Sequence, residues 1–88
     1  MNGVVYGVYL TPARLAVFEA IRKRPGRNYL SLAGQLYPDK PYAVGRRLVS
    51  VHVNQINNLF AATDIRIVGG KGKGFKVTGM PLDVVYDG

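Results

Sequence analysis

Apolar residues recur between positions 49 and 60 at the spacing of a helix with one buried side. Val49, Val53, Ile56 and Phe60 follow i, i+4, i+7, i+11 and form one stripe. The opposite face carries Arg47, Val51, Asn54 and Asn58, with Gln55 beside them. The spacing predicts a helix capped by Gly45 and running to about Ala62. Two shorter stripes precede it. Leu15, Phe18 and Ile21, with Val17 alongside, predict a helix that Thr11 caps and Pro12 starts. Leu10 and Leu15 are placed for a hydrophobic staple across that cap, and Pro25-Gly26 stops the helix. Tyr29, Leu32, Ala33 and Leu36 predict a second helix capped by Asn28, in which Gly34 costs about 1 kcal/mol against alanine. Two prolines make Tyr37 to Tyr42 a loop.

Elsewhere the period changes to two. Ile65-Arg66-Ile67-Val68 and Phe75-Lys76-Val77-Thr78 predict a hairpin around the tip Gly69-Gly70-Lys71-Gly72-Lys73-Gly74. Ile65, Ile67, Phe75 and Val77 share its inner face, leaving Arg66, Lys76 and Thr78 to water or a ligand. Val4 to Leu10 reads as one strand bent at Gly7, expected to pair with Leu82–Tyr86 or with the hairpin, because a lone strand leaves its ladder groups unpaired. The order β, α, α, α, β, β is that of an α+β winged helix–turn–helix: three helices, a C-terminal hairpin wing and a short N-terminal strand. Its parts are residues 1–10 (strand), 11–62 (three-helix core), 64–78 (wing) and 79–88 (C-terminal extension) of one domain.

Charge adds a partner to this picture. The 88 residues carry 12 Lys and Arg against 5 Asp and Glu, a net charge of +7. All the cations lie between residues 10 and 78, where the acids are Glu19, Asp39 and Asp64. Such an excess attracts polyanions. There is no cysteine and one histidine, His52, so neither a disulfide framework nor a protein metal cage is expected, and no cofactor. No Ser/His/Asp ordering or carboxylate pair suggests an enzyme. No apolar run reaches the ~20 residues of a membrane helix, and no signal-peptide pattern opens the chain, so a cytoplasmic protein is expected. The glycine-rich tip is not a Walker loop, because Gly72-Lys73 is followed by Gly74.

Three stretches resemble the OmpR/PhoB-type winged-helix effector domain of bacterial response regulators, over roughly Leu10 to Val77. Leu10-Thr11-Pro12 with Arg24-Pro25-Gly26-Arg27 is similar to the family's opening helix and its exit. Arg47-Leu48-Val49-Ser50-Val51-His52-Val53-Asn54-Gln55-Ile56 looks like its recognition helix, and Gly72-Lys73-Gly74-Phe75-Lys76-Val77 like its wing. The resemblance implies a phosphate contact by Arg47, a backbone contact by His52, and groove-facing positions for Val51, Asn54 and Gln55. It places Lys71 where the wing enters the minor groove, and Phe75 where a tyrosine helps hold a phosphate. Ser50, Gln55 and Asn57 depart from the family pattern, the first replacing an acid and the others arginines.

The resulting expectation is a small transcriptional regulator that prefers certain double-stranded DNA sequences. Val51, Asn54, Gln55 and Asn58 are the candidate base readers, since amides pair with adenine edges and valine touches a thymine methyl. Arg46, Arg47, Ser50, His52, Asn57, Lys71, Lys73 and Lys76 are the candidate phosphate or minor-groove contacts. A homodimer on DNA is compatible with this. The alternative is a winged-helix interaction module whose partner is RNA polymerase or another regulatory protein, with RNA binding ranked below it.

Overall fold

The computed structural model describes residues 3–69 and 74–79. In chain order it holds β1 (Val4–Val5), β2 (Val8–Tyr9), α1 (Pro12–Lys23), α2 (Tyr29–Leu36), α3 (Tyr42–Leu59), β3 (Arg66–Val68) and β4 (Lys76–Thr78). The fold is α+β, with three helices and two small antiparallel strand pairs, a topology compatible with a winged helix.

The N-terminal run is not the single strand expected. It folds on itself, Val4 opposite Tyr9 and Val5 opposite Val8. The reversal is made by Tyr6 and Gly7, whose φ values of 48° and 81° are those of a tight two-residue hairpin turn. Ladder groups are thereby satisfied locally, so neither expected partner is needed. One of them, Leu82–Tyr86, lies outside the described residues. Leu10 donates its N–H to the Gly3 carbonyl at 2.8 Å, and Val5 and Leu10 are buried in the core.

α1 begins at Pro12 as expected, but Thr11 caps it through the backbone alone: its carbonyl accepts the Leu15 N–H at 2.8 Å. Asn28 does cap α2 with its side chain, accepting from the Ser31 N–H at 2.9 Å. α3 starts earlier than the glycine suggested. Pro41 precedes its first turn, and Gly45 lies inside the helix, where a Cβ would stand 3.0 Å from the Cβ of Ala33. Gly45 is thus a close-packing position between α2 and α3 rather than a cap. The helix also ends sooner, at Leu59.

Val49, Val53, Ile56 and Phe60 are all buried, as their stripe requires, against Val17, Phe18, Ile21 and Leu32. Phe18 and Phe60 pack with ring centroids 5.7 Å apart. Each such side chain contributes roughly 1.5–3 kcal/mol when fully buried. Among the described residues no polar or charged side chain is buried with them.

The hairpin closes the remaining side of this core. β3 and β4 pair Arg66 with Thr78, Ile67 with Val77 and Val68 with Lys76, while Ile65, Ile67 and Phe75 are buried. The α1–α2 turn adds a third short edge. Gly26 donates its N–H to the Phe75 carbonyl and Phe75 donates to the Arg27 carbonyl, both at 2.8 Å. A Cβ on Gly74 would lie 2.1 Å from backbone atoms of Gly26, so this approach requires glycine. Arg66, expected to face water or a ligand, folds back instead. Its Nη1 donates to the carbonyls of Phe60, Thr63 and Ile65 and its Nη2 to that of Ala61. Carbonyls beyond the end of α3 leave no helical partner, and the guanidinium takes that place.

Two glycines should therefore respond oppositely to alanine. Gly34→Ala, exposed with nothing within 4 Å of the new Cβ, should raise stability by about 0.5–1 kcal/mol in urea denaturation. Gly74→Ala should cost about 1–3 kcal/mol, because backbone must move to admit the methyl.

Candidate nucleic-acid interface

The face that could meet a polyanion is built from α3 and the base of the hairpin. α3 follows α2 after a short turn in which Tyr37 donates to Ala33 and both Val44 and Gly45 donate to the Pro41 carbonyl. The core stripe turns the opposite side of α3 outward, and Arg47, Val51, Asn54 and Asn58 are all exposed. The helix has no acidic residue, no anion in its first turn and no cation in its last. Its charges, Arg46 and Arg47, are therefore not arranged to complement the helix dipole.

Arg46 is exposed, yet its guanidinium lies over the Tyr29 ring at 4.5 Å from the centroid. Tyr29 in turn meets Phe75 edge-on, with centroids 4.9 Å apart. A cation on an aromatic face is held without being neutralised, and the attraction is worth about 0.5–1 kcal/mol at an exposed site. This stack links the first half of α3 to the root of β4. Phe75, expected near phosphate, is buried in the core and supports Tyr29. Lys76 beside it is exposed, whereas Lys71 and Lys73 lie outside the described residues.

Four other expected contacts are half-buried, and two of them bond to neighbouring elements. Gln55 turns from the outer strip toward α1, where its Oε1 accepts from Arg14 Nε at 3.0 Å. Asn57 faces the hairpin: it donates from Nδ2 to the Ile67 carbonyl at 3.0 Å and accepts the Ile67 N–H on Oδ1 at 2.8 Å. An amide that pairs both ways with one strand residue is a structural clasp between α3 and β3. His52 has Nδ1 buried without a hydrogen-bond partner, so this nitrogen is not presented to a backbone; Ser50 is likewise half-buried.

Arg14 and Tyr29 were missed by sequence reading. Tyr29 carried a signal only as an apolar position of α2, and nothing local links Arg14 to a residue 41 positions away. Arg27 is a further cation tied into the frame, donating to Ser31 Oγ at 3.0 Å and to Gln35 Oε1. Among the described residues, no helix is long and apolar enough to cross a membrane. No known family, curated protein or solved structure matches the chain.

The two neighbouring asparagines should separate cleanly in thermal or urea unfolding. Asn57→Ala strands the Ile67 backbone groups and should cost about 1–3 kcal/mol. Asn58→Ala, on the exposed face, should stay within about 0.5 kcal/mol of the parent.

Proposed function

We propose that this protein is a cytoplasmic winged-helix protein that binds double-stranded DNA with sequence preference and acts as a small transcriptional regulator. The supporting observation is the outward strip of α3: Arg47, Val51, Asn54 and Asn58, exposed together on a helix with no acidic residue. A helix of this kind fits the major groove, where amides meet adenine edges and a valine meets a thymine methyl. Arg47 and the stacked Arg46 then hold phosphates, and the lysine-bearing hairpin reaches the adjacent minor groove or backbone. The resemblance to the OmpR/PhoB-type effector domain supports the same docking, with the α3 strip as recognition surface.

A protein partner, such as RNA polymerase or another regulator, is the second reading, and one observation favours it. Leu30, Tyr42 and Val44 are 65%, 47% and 44% exposed. Leu30 and Tyr42, with Ala33, Gly34, Tyr37 and Pro38, line a depression of about 190 Å³. Exposed apolar surface of this sort is a common feature of protein contacts.

Salt separates the two. DNA affinity should fall steeply with ionic strength, with a log–log slope set by the phosphates neutralised. Arg47→Ala should weaken binding to every duplex and reduce that slope by about 1. Replacing Lys71 and Lys73 together with alanine should reduce it by up to ~2. Asn54→Ala should instead lose about 1–3 kcal/mol of discrimination at one base pair, with non-specific binding little changed. Competition binding on a few duplex variants at two salt concentrations measures all of these; equal losses on cognate and scrambled DNA would remove α3 as a sequence reader.

A further inference from the structure

We infer that Arg14, on α1, sets which base Gln55 accepts, turning an amide that would suit adenine into one that selects guanine. The inference rests on the DNA-binding reading and concerns how the α3 surface discriminates. Gln55 follows the exposed Asn54 and lies within one helical turn of Val51 and Asn58, at the border of the outward strip. Both partners are partly buried, and the bond from Arg14 Nε to Gln55 Oε1 is 3.0 Å long.

The orientation of that amide follows from chemistry. A guanidinium has five N–H donors and no acceptor, so only the oxygen of Gln55 can face it. The NH₂ group is then the end left for a ligand. An unrestrained glutamine reads adenine by accepting from N6 with its oxygen while donating to N7. With one of its two lone pairs taken by Arg14, the oxygen is the less available end for adenine's N6 amino group, whereas both N–H groups stay free to donate. Guanine offers two acceptors, O6 and N7, on the same edge, and both suit an NH₂ donor. The nearby positive charge also polarises the amide and strengthens its N–H groups as donors.

Arg14 is available for this role. The acid on its own helix, Glu19, is engaged by Arg22 at 2.6 Å. Arg14 therefore acts as a positioning residue for Gln55, and α1 contributes to specificity through a side chain that does not itself need to reach a base.

The test is a selection of bound duplexes from a randomised pool, run with the parent protein, Gln55→Ala, Arg14→Met and Arg14→Lys. Circular dichroism checks that each variant folds. The position whose preference disappears in Gln55→Ala is the Gln55 position. The parent should favour guanine over adenine there by on the order of 3- to 10-fold, the range of one net hydrogen bond. Arg14→Met should move that position toward adenine and leave the Asn54 position unchanged, whereas Arg14→Lys, still a donor, should restore part of the guanine preference. A merely structural role for Arg14 would lower affinity at all positions without exchanging one base for another. Adenine preferred by the parent at the Gln55 position, or an unchanged preference in a folded Arg14→Met, overturns the inference. If Arg14→Met does not fold, the parent's own preference and a hydrogen-exchange-protected Arg14 Nε–H in ¹⁵N-labelled protein decide it, and an unprotected signal counts against it. A parent that enriches no duplex overturns the DNA-binding reading itself, an outcome distinct from the wrong base at one position.

Discussion

The contact on which the rest depends is the backbone pairing of Phe75 with the turn at Gly26 and Arg27. Its two hydrogen bonds, each 2.8 Å, attach the returning strand of the hairpin to the connection between α1 and α2. A side chain at Gly74 would block that approach, its Cβ only 2.1 Å from Gly26 backbone, and Gly26 itself takes a φ of 96° that favours glycine. Because the strand is held there, Phe75 reaches the core and its ring supports Tyr29, which carries Arg46. The direction of the hairpin relative to α3 is therefore set by the close approach at Gly74 and one aromatic stack. Through them, a cation near the start of α3 and the root of the hairpin belong to one surface.

The same packing sorts the amides of α3. Four of them follow closely in sequence: Asn54, Gln55, Asn57 and Asn58. Asn54 and Asn58 face outward because the buried stripe lies opposite them. Gln55 meets Arg14 on α1, and Asn57 meets the backbone of Ile67 on β3. A strip that looks uniform in composition is thus divided into outward groups, one held group and one clasp. Half-buried amides need partners, and the neighbouring elements supply them.

A similar division applies to the positive charge. Arg66 gathers carbonyls past the end of α3, Arg22 pairs with Glu19, and Arg27 bonds Ser31 and Gln35. These arginines serve the frame, although each still contributes to the long-range field that draws a polyanion. Arg47 is exposed and engaged by no neighbour among the described residues, which leaves its full fork of donors for a phosphate. Net charge alone does not distinguish these roles; the contacts do.

By itself the sequence determined the three helices, the β-hairpin and the buried stripe of Val49, Val53, Ile56 and Phe60. Periodicity is a local property, and burial of an apolar face follows from it whatever the neighbours are. The outward direction of Arg47, Val51, Asn54 and Asn58 was legible for the same reason. Tertiary structure decided what depends on a second segment coming close. It made Gly45 a contact with Ala33 rather than a cap, and it closed the N-terminal run on itself through Tyr6 and Gly7. It also turned Arg66, Asn57 and Gln55 toward partners on other elements or past a helix end. A polar side chain at the edge of a face has two nearly equal ways to satisfy its hydrogen bonds, water or a neighbour. Which one wins is set by the few ångströms between packed elements, and no local pattern encodes that distance.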